Sequence, residues 1–226
     1  NKTAHPEWQA EIDQLIVEEQ AGLDSREGMT PRNVICALNK YLNENTPVAT
    51  DVGQHQMWAA QYLNLKNSRR FLSSGGLGTM GFGMGAAIGA AMGTQERTVL
   101  VTGDGSFGMN LNELATAVAN HVPMVILLLN NSVLGMVRQW QTLFFDKHYS
   151  NTMLDERQTD FVKLAEAFGA KGSRALTLEE LEDALTEAFA CDGPYLIDCA
   201  IDKDEFVLPM LPPGGSMDDI ITRIGD

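Results

Sequence analysis

Apolar runs alternate with amphipathic stretches along the whole chain. Two runs are continuously apolar or nearly so, Thr98–Thr102 and Met124–Leu129, and both are followed by glycine or asparagine. Short runs of this kind, bounded by turn residues, are typical of strands buried on both faces. Further short strands are predicted at Pro47–Thr50, Arg70–Ser73 and Tyr195–Ile201.

Helical periodicity separates the predicted strands. The clearest helix start is Thr30-Pro31, with threonine as N-cap and proline at the first helical position of a helix that continues to about Leu42. Asn110, followed three residues later by Glu113, resembles a capping box at the start of a helix over 111–120. The remaining predicted helices cover 7–20, 54–63, 160–168 and 178–190, and an alanine-rich helix follows a glycine-rich loop at 75–85. Alternating strands and helices predict an α/β fold, a parallel sheet with helices on both faces.

The chain divides into three parts. Residues 1–29 are interpreted as a helix and linker from a preceding domain, 30–203 as the main domain, and 204–226 as a C-terminal tail that orders on docking. The 226 residues suffice for one large hydrophobic core. Because the chain does not begin with methionine, we expect it to be cut from a longer polypeptide.

Charge and cysteine content narrow the classes of partner and compartment. The 30 Asp and Glu against 16 Lys and Arg give a formal charge of −14, which argues against nucleic acid or an anionic membrane surface. No apolar run approaches the roughly 20 residues of a membrane span, and no signal peptide is recognisable. The three cysteines (Cys36, Cys191 and Cys199) have no CxxC spacing and cannot all pair, which predicts a reducing, cytoplasmic compartment.

Residues 76–81 match the dinucleotide-binding pattern G-x-G-x-x-G. Asp104 follows where a ribose-binding acid would be expected, roughly 20 residues further on. However, Asp104 is flanked by glycine on both sides, and glycine and alanine continue far beyond the first helical turn. That composition favours close helix packing or the close approach of a ligand ring. The nicotinamide or flavin interpretation is therefore the weaker alternative.

A second pattern joins the ends of the two clearest strands. Gly103-Asp104-Gly105 is followed after 24 residues by Asn130-Asn131. A right-handed crossover places both strands in one sheet, so both polar ends face one crevice at its carboxyl edge. A carboxylate and an amide oxygen suit Mg²⁺, whose remaining positions phosphate oxygens would fill. The structural alternative is that Asp104 caps a helix and the asparagines form a turn.

The GDG…NN pattern is the thiamine-diphosphate signature, and the match extends over nearly the whole chain after about residue 30. The supporting segments are GQHQMWAAQ (53–61), SSGGLGTMGFG (73–83), GDGSFGMNLNEL (103–114), LNNSVLGMVRQWQ (129–141) and LPMLPPGGSMDDII (208–221). With these segments the chain resembles the C-terminal, thiamine-diphosphate-binding domain of the acetohydroxyacid synthase (acetolactate synthase) large subunit. Residues 30–203 would be its diphosphate-binding domain.

The resemblance implies roles for individual residues. Asp104, Asn131 and the backbone carbonyl of Val133 would hold Mg²⁺ against the diphosphate. The implied cofactor-binding residues are Gln54, His55, Gly105 and Ser106 at the diphosphate, Gly78 at the aminopyrimidine, Met80 as the wedge that bends the cofactor, and Gly135 and Met136 beside it. Trp140 would shape the pocket for the second 2-oxo acid. Without the resemblance, Met80 and Met136 are better explained as core residues. A core position explains Trp140 equally well, and His55 could be a surface histidine.

The resemblance also implies an activity. Enzymes of this family decarboxylate pyruvate and join the two-carbon unit to pyruvate or 2-oxobutyrate in branched-chain amino acid biosynthesis. The general-base glutamate is expected in a domain outside these residues, so no catalytic residue is assigned to this chain. A homodimer or higher oligomer, a regulatory small subunit and, in the full-length enzyme, FAD are expected partners. The alternatives are another thiamine-diphosphate-dependent 2-oxo acid decarboxylase or carboligase and a non-catalytic cofactor-binding module.

Overall fold

A computed structural model describes residues 5–24 and 26–224 of the chain. Six strands form one sheet in the order β2-β1-β3-β4-β6-β5, with every neighbouring pair parallel. The strands are β1 (Val48–Thr50), β2 (Phe71–Leu72), β3 (Thr98–Gly103), β4 (Met124–Asn130), β5 (Lys171–Ala175) and β6 (Tyr195–Ala200). The predicted α/β class and parallel sheet are confirmed.

Helices connect the strands and cover both faces of the sheet. They are α1 (Pro6–Asp24), α2 (Pro31–Asn39), α3 (Gln54–Tyr62), α4 (Phe82–Thr94), α5 (Asp104–Phe107), α6 (Leu114–Ala119), α7 (Gly135–Phe144), α8 (Phe161–Phe168) and α9 (Leu178–Ala190). The predicted start of α2 is confirmed, because Thr30 Oγ1 accepts a hydrogen bond from Asn33 N at 3.1 Å. Among the described residues, no helix is both long and apolar enough to cross a bilayer.

The two central strands explain why the sheet has a core on each side. All residues of β3 and all but the last residue of β4 are buried. Alternate side chains of these strands point to opposite faces. One set, which includes Val101 and Leu127, packs with residues of α2, α3 and α9. The other set, which includes Leu100 and Ile126, packs with residues of α4, α6 and α8.

Three local details differ from the sequence prediction. The capping box at Asn110 and Glu113 is wrong, because Asn110 makes no side-chain cap and its amide instead donates to Gly81 O at 3.2 Å. The predicted helix over 111–120 is a 3-10 turn followed by the short α6. Strand β5 was not predicted, since its sequence KGSRA has no apolar run and its residues are mostly exposed or half-buried.

The glycines of α4 serve different purposes. A Cβ at Gly83 would lie 2.9 Å from Asp51 N, so glycine there permits the close approach of α4 to the end of β1. A Cβ at Gly85, Gly89 or Gly93 would meet no atom of the described part of the chain within 4 Å. The expected close packing therefore holds for Gly83 only, and the other three leave one side of α4 flat and open.

Candidate functional site

A cleft of about 120 Å³ opens beyond the carboxyl ends of β1, β3 and β4. The chain continues from β1 to β2 on one side of the sheet and from β3 to β4 on the other. The cleft therefore lies where the direction of the connections reverses, which is the position where parallel α/β sheets bind ligands. The candidate residues that line it are Gln54, His55, Met80, Asp104, Gly105, Ser106, Asn131, Val133, Gly135 and Met136. The structure thus brings together ten residues that the sequence singled out from four separate segments.

Sheet register sets the relation between Asp104 and Asn131. Gly103 pairs with Leu129 across β3 and β4, so the residues that follow each of them emerge side by side. Asp104 is 3% exposed, and burial raises the pKa of its carboxyl group to about 6. Backbone hydrogen bonds from Asp104, Asn131 and Gly105 and the charge of Arg157 oppose this rise without cancelling it. A cation beside the carboxylate would compensate its lost hydration.

A short antiparallel pairing holds the loop that follows β4. Leu134 N donates to Thr152 O at 2.7 Å, and Leu154 N donates to Ser132 O at 2.8 Å. Within this loop Asn131 Oδ1 accepts from Val133 N at 3.2 Å. The pairing fixes the backbone at Val133, which is 3% exposed.

Among the residues that the structure describes, two buried polar atoms of the cleft have no hydrogen-bond partner. They are His55 Nε2 and Ser106 Oγ. Buried polar atoms are normally paired, so each indicates a ligand oxygen or nitrogen that approaches from the cleft. His55 is 5% exposed, which makes the surface-histidine interpretation wrong, and burial lowers the pKa of its imidazole to about 4. The ring is therefore neutral near pH 7.

The charge of the cleft fits a cation and a phosphate together better than a phosphate alone. Among the described residues that line the cleft there is no lysine or arginine, and Asp104 is its one acidic side chain. With a formal charge of −14 on the chain, a bare diphosphate would meet an unfavourable field. The donor set, one carboxylate and one amide oxygen with room for further oxygens, matches the preference of Mg²⁺.

The glycine-rich loop before α4 is attached to the end of β1. Gly81 N donates to Asp51 Oδ1 at 2.8 Å, and Gly81 has φ +89°, which favours glycine. This attachment brings Met80 into the cleft lining. Gly78 lies outside the lining, with φ +62° and a hydrogen bond from its N–H to Ser74 O. The strand before the loop, β2, has only two residues and lies at the sheet edge, unlike the strand that precedes a dinucleotide-binding loop.

Trp140 lies in a neighbouring cavity. This shallower space of about 850 Å³ is lined by Trp140, Phe144 and Phe145 among others, and it shares Met136 and Val137 with the cleft. The rings of Trp140 and Phe144 are 5.3 Å apart. Trp140 is therefore placed beside the cleft without lining it.

Sequence reasoning missed several buried polar side chains that support the cleft. Gln139, 3% exposed, contacts both Gln54 and the tail at Val207. Asp198, 1% exposed, accepts a hydrogen bond from Asn130. A charged residue inside the apolar run of β6 was the available signal for Asp198. Gln139 had no local signal, because its partners are 85 and 68 residues away in the chain.

Comparison with known proteins places these features in a family. The sequence model described as "Thiamine pyrophosphate enzyme, C-terminal TPP binding domain" matches residues 51–199. The chain is 44% identical over 218 residues to the mitochondrial acetolactate synthase catalytic subunit of Saccharomyces cerevisiae, covering 95% of this chain and 31% of that protein. It is 43% identical over 225 residues to the acetolactate synthase isozyme 2 large subunit of Escherichia coli, with 96% and 40% coverage.

An archaeal relative shows similar agreement. A probable acetolactate synthase large subunit of Methanocaldococcus jannaschii is 46% identical over 201 residues, which cover 86% of this chain and 34% of that protein. The chain thus spans 31 to 40% of the length of these three relatives. The match covers the strands β3 and β4, the Asp104 and Asn131 pair and the cleft between them. The chain belongs to the C-terminal TPP-binding domain family of the thiamine pyrophosphate enzymes and is homologous to acetolactate synthase large subunits.

Proposed function

We propose that this chain is the cofactor-binding part of an acetolactate synthase, which holds Mg²⁺ and thiamine diphosphate in the cleft beyond β1, β3 and β4. The observation that carries the proposal is that the buried Asp104 carboxylate and two unpartnered polar atoms, His55 Nε2 and Ser106 Oγ, line one cleft whose described lining has no lysine or arginine. In this arrangement Asp104, Asn131 and the Val133 carbonyl hold the cation.

The other residues of the cleft bind and orient the cofactor. His55, Gly105 and Ser106 contact the diphosphate, and Gln54 reaches it through its backbone N–H at the start of α3, because both side-chain N–H groups of Gln54 are donated to Gln139 and Glu205. Met80, Gly135 and Met136 border the rings, and Gly78 faces the aminopyrimidine. Bound thiamine diphosphate supplies the electron sink for decarboxylation of a 2-oxo acid. The substrates are pyruvate and, as second acceptor, pyruvate or 2-oxobutyrate, with Trp140 shaping the acceptor pocket.

The active site is completed by another polypeptide segment. The cleft encloses about 120 Å³, whereas pockets for ligands of cofactor size are roughly 300–1,000 Å³. Its described lining contains no glutamate to serve as general base, and Glu113 lies outside it. We therefore assign proton transfer at the cofactor to a glutamate of another domain, brought in by a homodimer or higher oligomer. FAD and a regulatory small subunit belong to that full-length assembly.

The division of the chain follows from the same proposal. Residues 30–203 act as the diphosphate-binding domain, 1–29 connect it to a preceding domain, and 204–226 form a tail docked on it. Residues 1–4, 25 and 225–226 lie outside the described part of the chain. The free cysteines support a reducing compartment, and we propose the cytoplasm, although relatives of this chain include mitochondrial and chloroplastic enzymes.

Calorimetric titration tests the binding step. Thiamine diphosphate should bind the chain in the presence of Mg²⁺ and lose at least roughly 100-fold in affinity with a chelator or in Asp104→Ala. The matched control is Asp192→Ala, which removes an exposed carboxylate at the far end of α9 and should bind like the parent. Equal binding by the parent and Asp104→Ala would contradict the proposed site.

Product analysis of the full-length enzyme tests the reaction. Acetolactate from pyruvate supports the proposal, whereas acetaldehyde from pyruvate, or tartronate semialdehyde from glyoxylate, would indicate another decarboxylase or carboligase of the same cofactor class. Cofactor binding without any turnover of 2-oxo acids would indicate a non-catalytic binding module.

A further inference from the structure

The side chain of Gln139 pairs with the backbone of the tail in both directions. Its Nε2 donates to Val207 O at 2.9 Å, and its Oε1 accepts from Val207 N at 2.9 Å. A backbone N–H can only donate and a carbonyl can only accept, so the amide of Gln139 has one permitted orientation. Both residues are buried, at 3% and 1% exposure, so bulk water does not compete for either bond.

This fixed amide orients Gln54 in turn. Gln54 Nε2 donates to Gln139 Oε1 at 2.9 Å and to Glu205 O at 3.1 Å. Both partners are acceptors, so the nitrogen of Gln54 must face Gln139 and the tail. Its Oε1 consequently faces the opposite side, where a Cβ on Gly135 would collide with it. Glycine at 135 therefore leaves just enough space for this orientation.

The orientation of the Gln54 amide in turn determines that of the Asn131 amide at the cleft. Asn131 Nδ2 donates to Gln54 Oε1 at 3.4 Å, a long hydrogen bond, and Asn131 Oδ1 accepts from Val133 N at 3.2 Å. If the Asn131 amide were reversed, its NH₂ group would face the Val133 N–H and its oxygen would face the oxygen of Gln54. Both contacts are unfavourable, so the observed orientation is selected at both ends of the amide.

We propose that Gln139 is a positioning residue for the cation, acting through Gln54 so that Asn131 presents its oxygen rather than its NH₂ group to the metal. This inference rests on the proposed function, since it concerns the Mg²⁺ held by Asp104 and Asn131. The same contacts couple the docking of the tail at Val207 to cation binding. Such coupling is reciprocal, so a bound cation should strengthen the docking of the tail as much as the docked tail strengthens cation binding.

The first test measures the Mg²⁺ dissociation constant of the full chain by titration at a fixed thiamine diphosphate concentration. Gln139→Met keeps the length and approximate volume of the side chain but removes the amide, and it should weaken Mg²⁺ binding roughly 10-fold. The control is Gln61→Met, because Gln61 Nε2 also holds the tail, at Leu208 O, 2.9 Å, without contacting Gln54. Gln61→Met should stay within about twofold of the parent, since it leaves the amides around the cation in place.

A double variant distinguishes an effect of Gln139 that is transmitted through Gln54 from a general loosening of the fold. If Gln139 acts through Gln54, then Gln54→Met combined with Gln139→Met should bind Mg²⁺ no more weakly than Gln54→Met alone. Additive losses, equal losses in Gln61→Met and Gln139→Met, or an unchanged constant in Gln139→Met would each overturn the inference. Absence of Mg²⁺ binding by the parent chain would overturn the proposed function and the inference with it.

Hydrogen exchange of the parent chain tests the inference without any substitution. Mg²⁺ with thiamine diphosphate should slow exchange of the Val207 amide, which donates to Gln139, at least about fivefold more than that of Ile221. The Ile221 amide is a suitable reference because it donates to Met210 O within the tail, at 2.9 Å. Equal slowing at both amides would contradict the proposed link from Val207 through Gln139 and Gln54 to the cation.

Discussion

Asn130 Nδ2 donates a hydrogen bond to Asp198 Oδ1 at 2.9 Å, from the end of β4 to the neighbouring β6. The other oxygen of Asp198 accepts from Arg174 Nε at 3.1 Å. Asp198 is 1% exposed, whereas the side chain of Arg174 is about half exposed. The carboxylate thus fixes the side chain of Asn130, which immediately precedes Asn131 at the cleft.

Asp198→Ala should lower the free energy of unfolding by about 2–4 kcal/mol, because it leaves the amide of Asn130 without its buried acceptor and Arg174 with only its longer, exposed contact to Asp160, at 3.5 Å. Urea denaturation of the two proteins measures the difference. The exposed Asp192→Ala should change the free energy by no more than about 0.5 kcal/mol. Similar values for the two variants would show that the Asp198 carboxylate contributes nothing to the stability of the sheet.

Asp104→Asn should stabilise the chain in the presence of a chelator while abolishing Mg²⁺-dependent binding. The pKa of Asp104 is raised to about 6, above that of an unfolded aspartate, so its charge opposes folding at neutral pH. Removing the charge should raise the free energy of unfolding at pH 7 by about 2–3 kcal/mol. The gain should shrink as the pH falls from about 6 to about 4, because the carboxyl of the parent protein is then protonated in the folded state but still charged in the unfolded state. Below about pH 4 the carboxyl is protonated in both states and the gain should disappear. A gain that persisted unchanged in acid would have another origin.

His55→Gln should reduce the loss of stability in acid. Burial lowers the pKa of His55 to about 4, below its unfolded value of 6.5, so only the unfolded chain takes up this proton at intermediate pH. Between about pH 7 and 4.5 the free energy of unfolding of the parent should fall relative to that of His55→Gln by about 2–3 kcal/mol. Parallel pH profiles of the two proteins would mean that His55 is not buried in its neutral form.

Gly135→Ala should destabilise the chain by about 1–3 kcal/mol and weaken cofactor binding, because its Cβ would displace the amide of Gln54. Gly89→Ala is the matched control, since a Cβ there meets no described residue within 4 Å and alanine favours helix. That substitution in α4 should raise stability by about 0.5–1 kcal/mol. Thermal denaturation of both variants, with and without cofactor, distinguishes them, and equal effects would contradict the crowding at Gly135.

The sequence was most informative where local pattern and tertiary environment agree. Strands β3, β4 and β6 were predicted to within one residue at each end, because sheet strands buried on both faces need continuous apolar runs. The edge strand β5 has no such need, and its polar residues look like a loop. The capping box at Asn110 failed because its amide is hydrogen-bonded to Gly81 in another segment.

The candidate site, too, could be predicted from the sequence in part only. Asp104 and Asn131 were predicted to lie close together because each follows a strand. The two strands pair side by side in the sheet, so residues just after their ends are neighbours in space. Gln139 and its contacts with Gln54 and Val207 could not be predicted, since nothing in the periodicity of α7 distinguishes a buried amide from an exposed one. The placement of Gly78 outside the cleft lining depends on loop backbone conformation, which composition does not determine.

The pairing of Gly103 with Leu129 gives the cleft a further property. A slip of β3 against β4 by one residue would move Asp104 by roughly 3.3 Å along the strand and turn its side chain to the other face of the sheet. A molecule misfolded in this way could retain most of its helix content and compactness, yet it could not form the paired oxygens. Titration of binding sites would therefore count correctly registered molecules and reveal near-native misfolded ones that circular dichroism counts as folded.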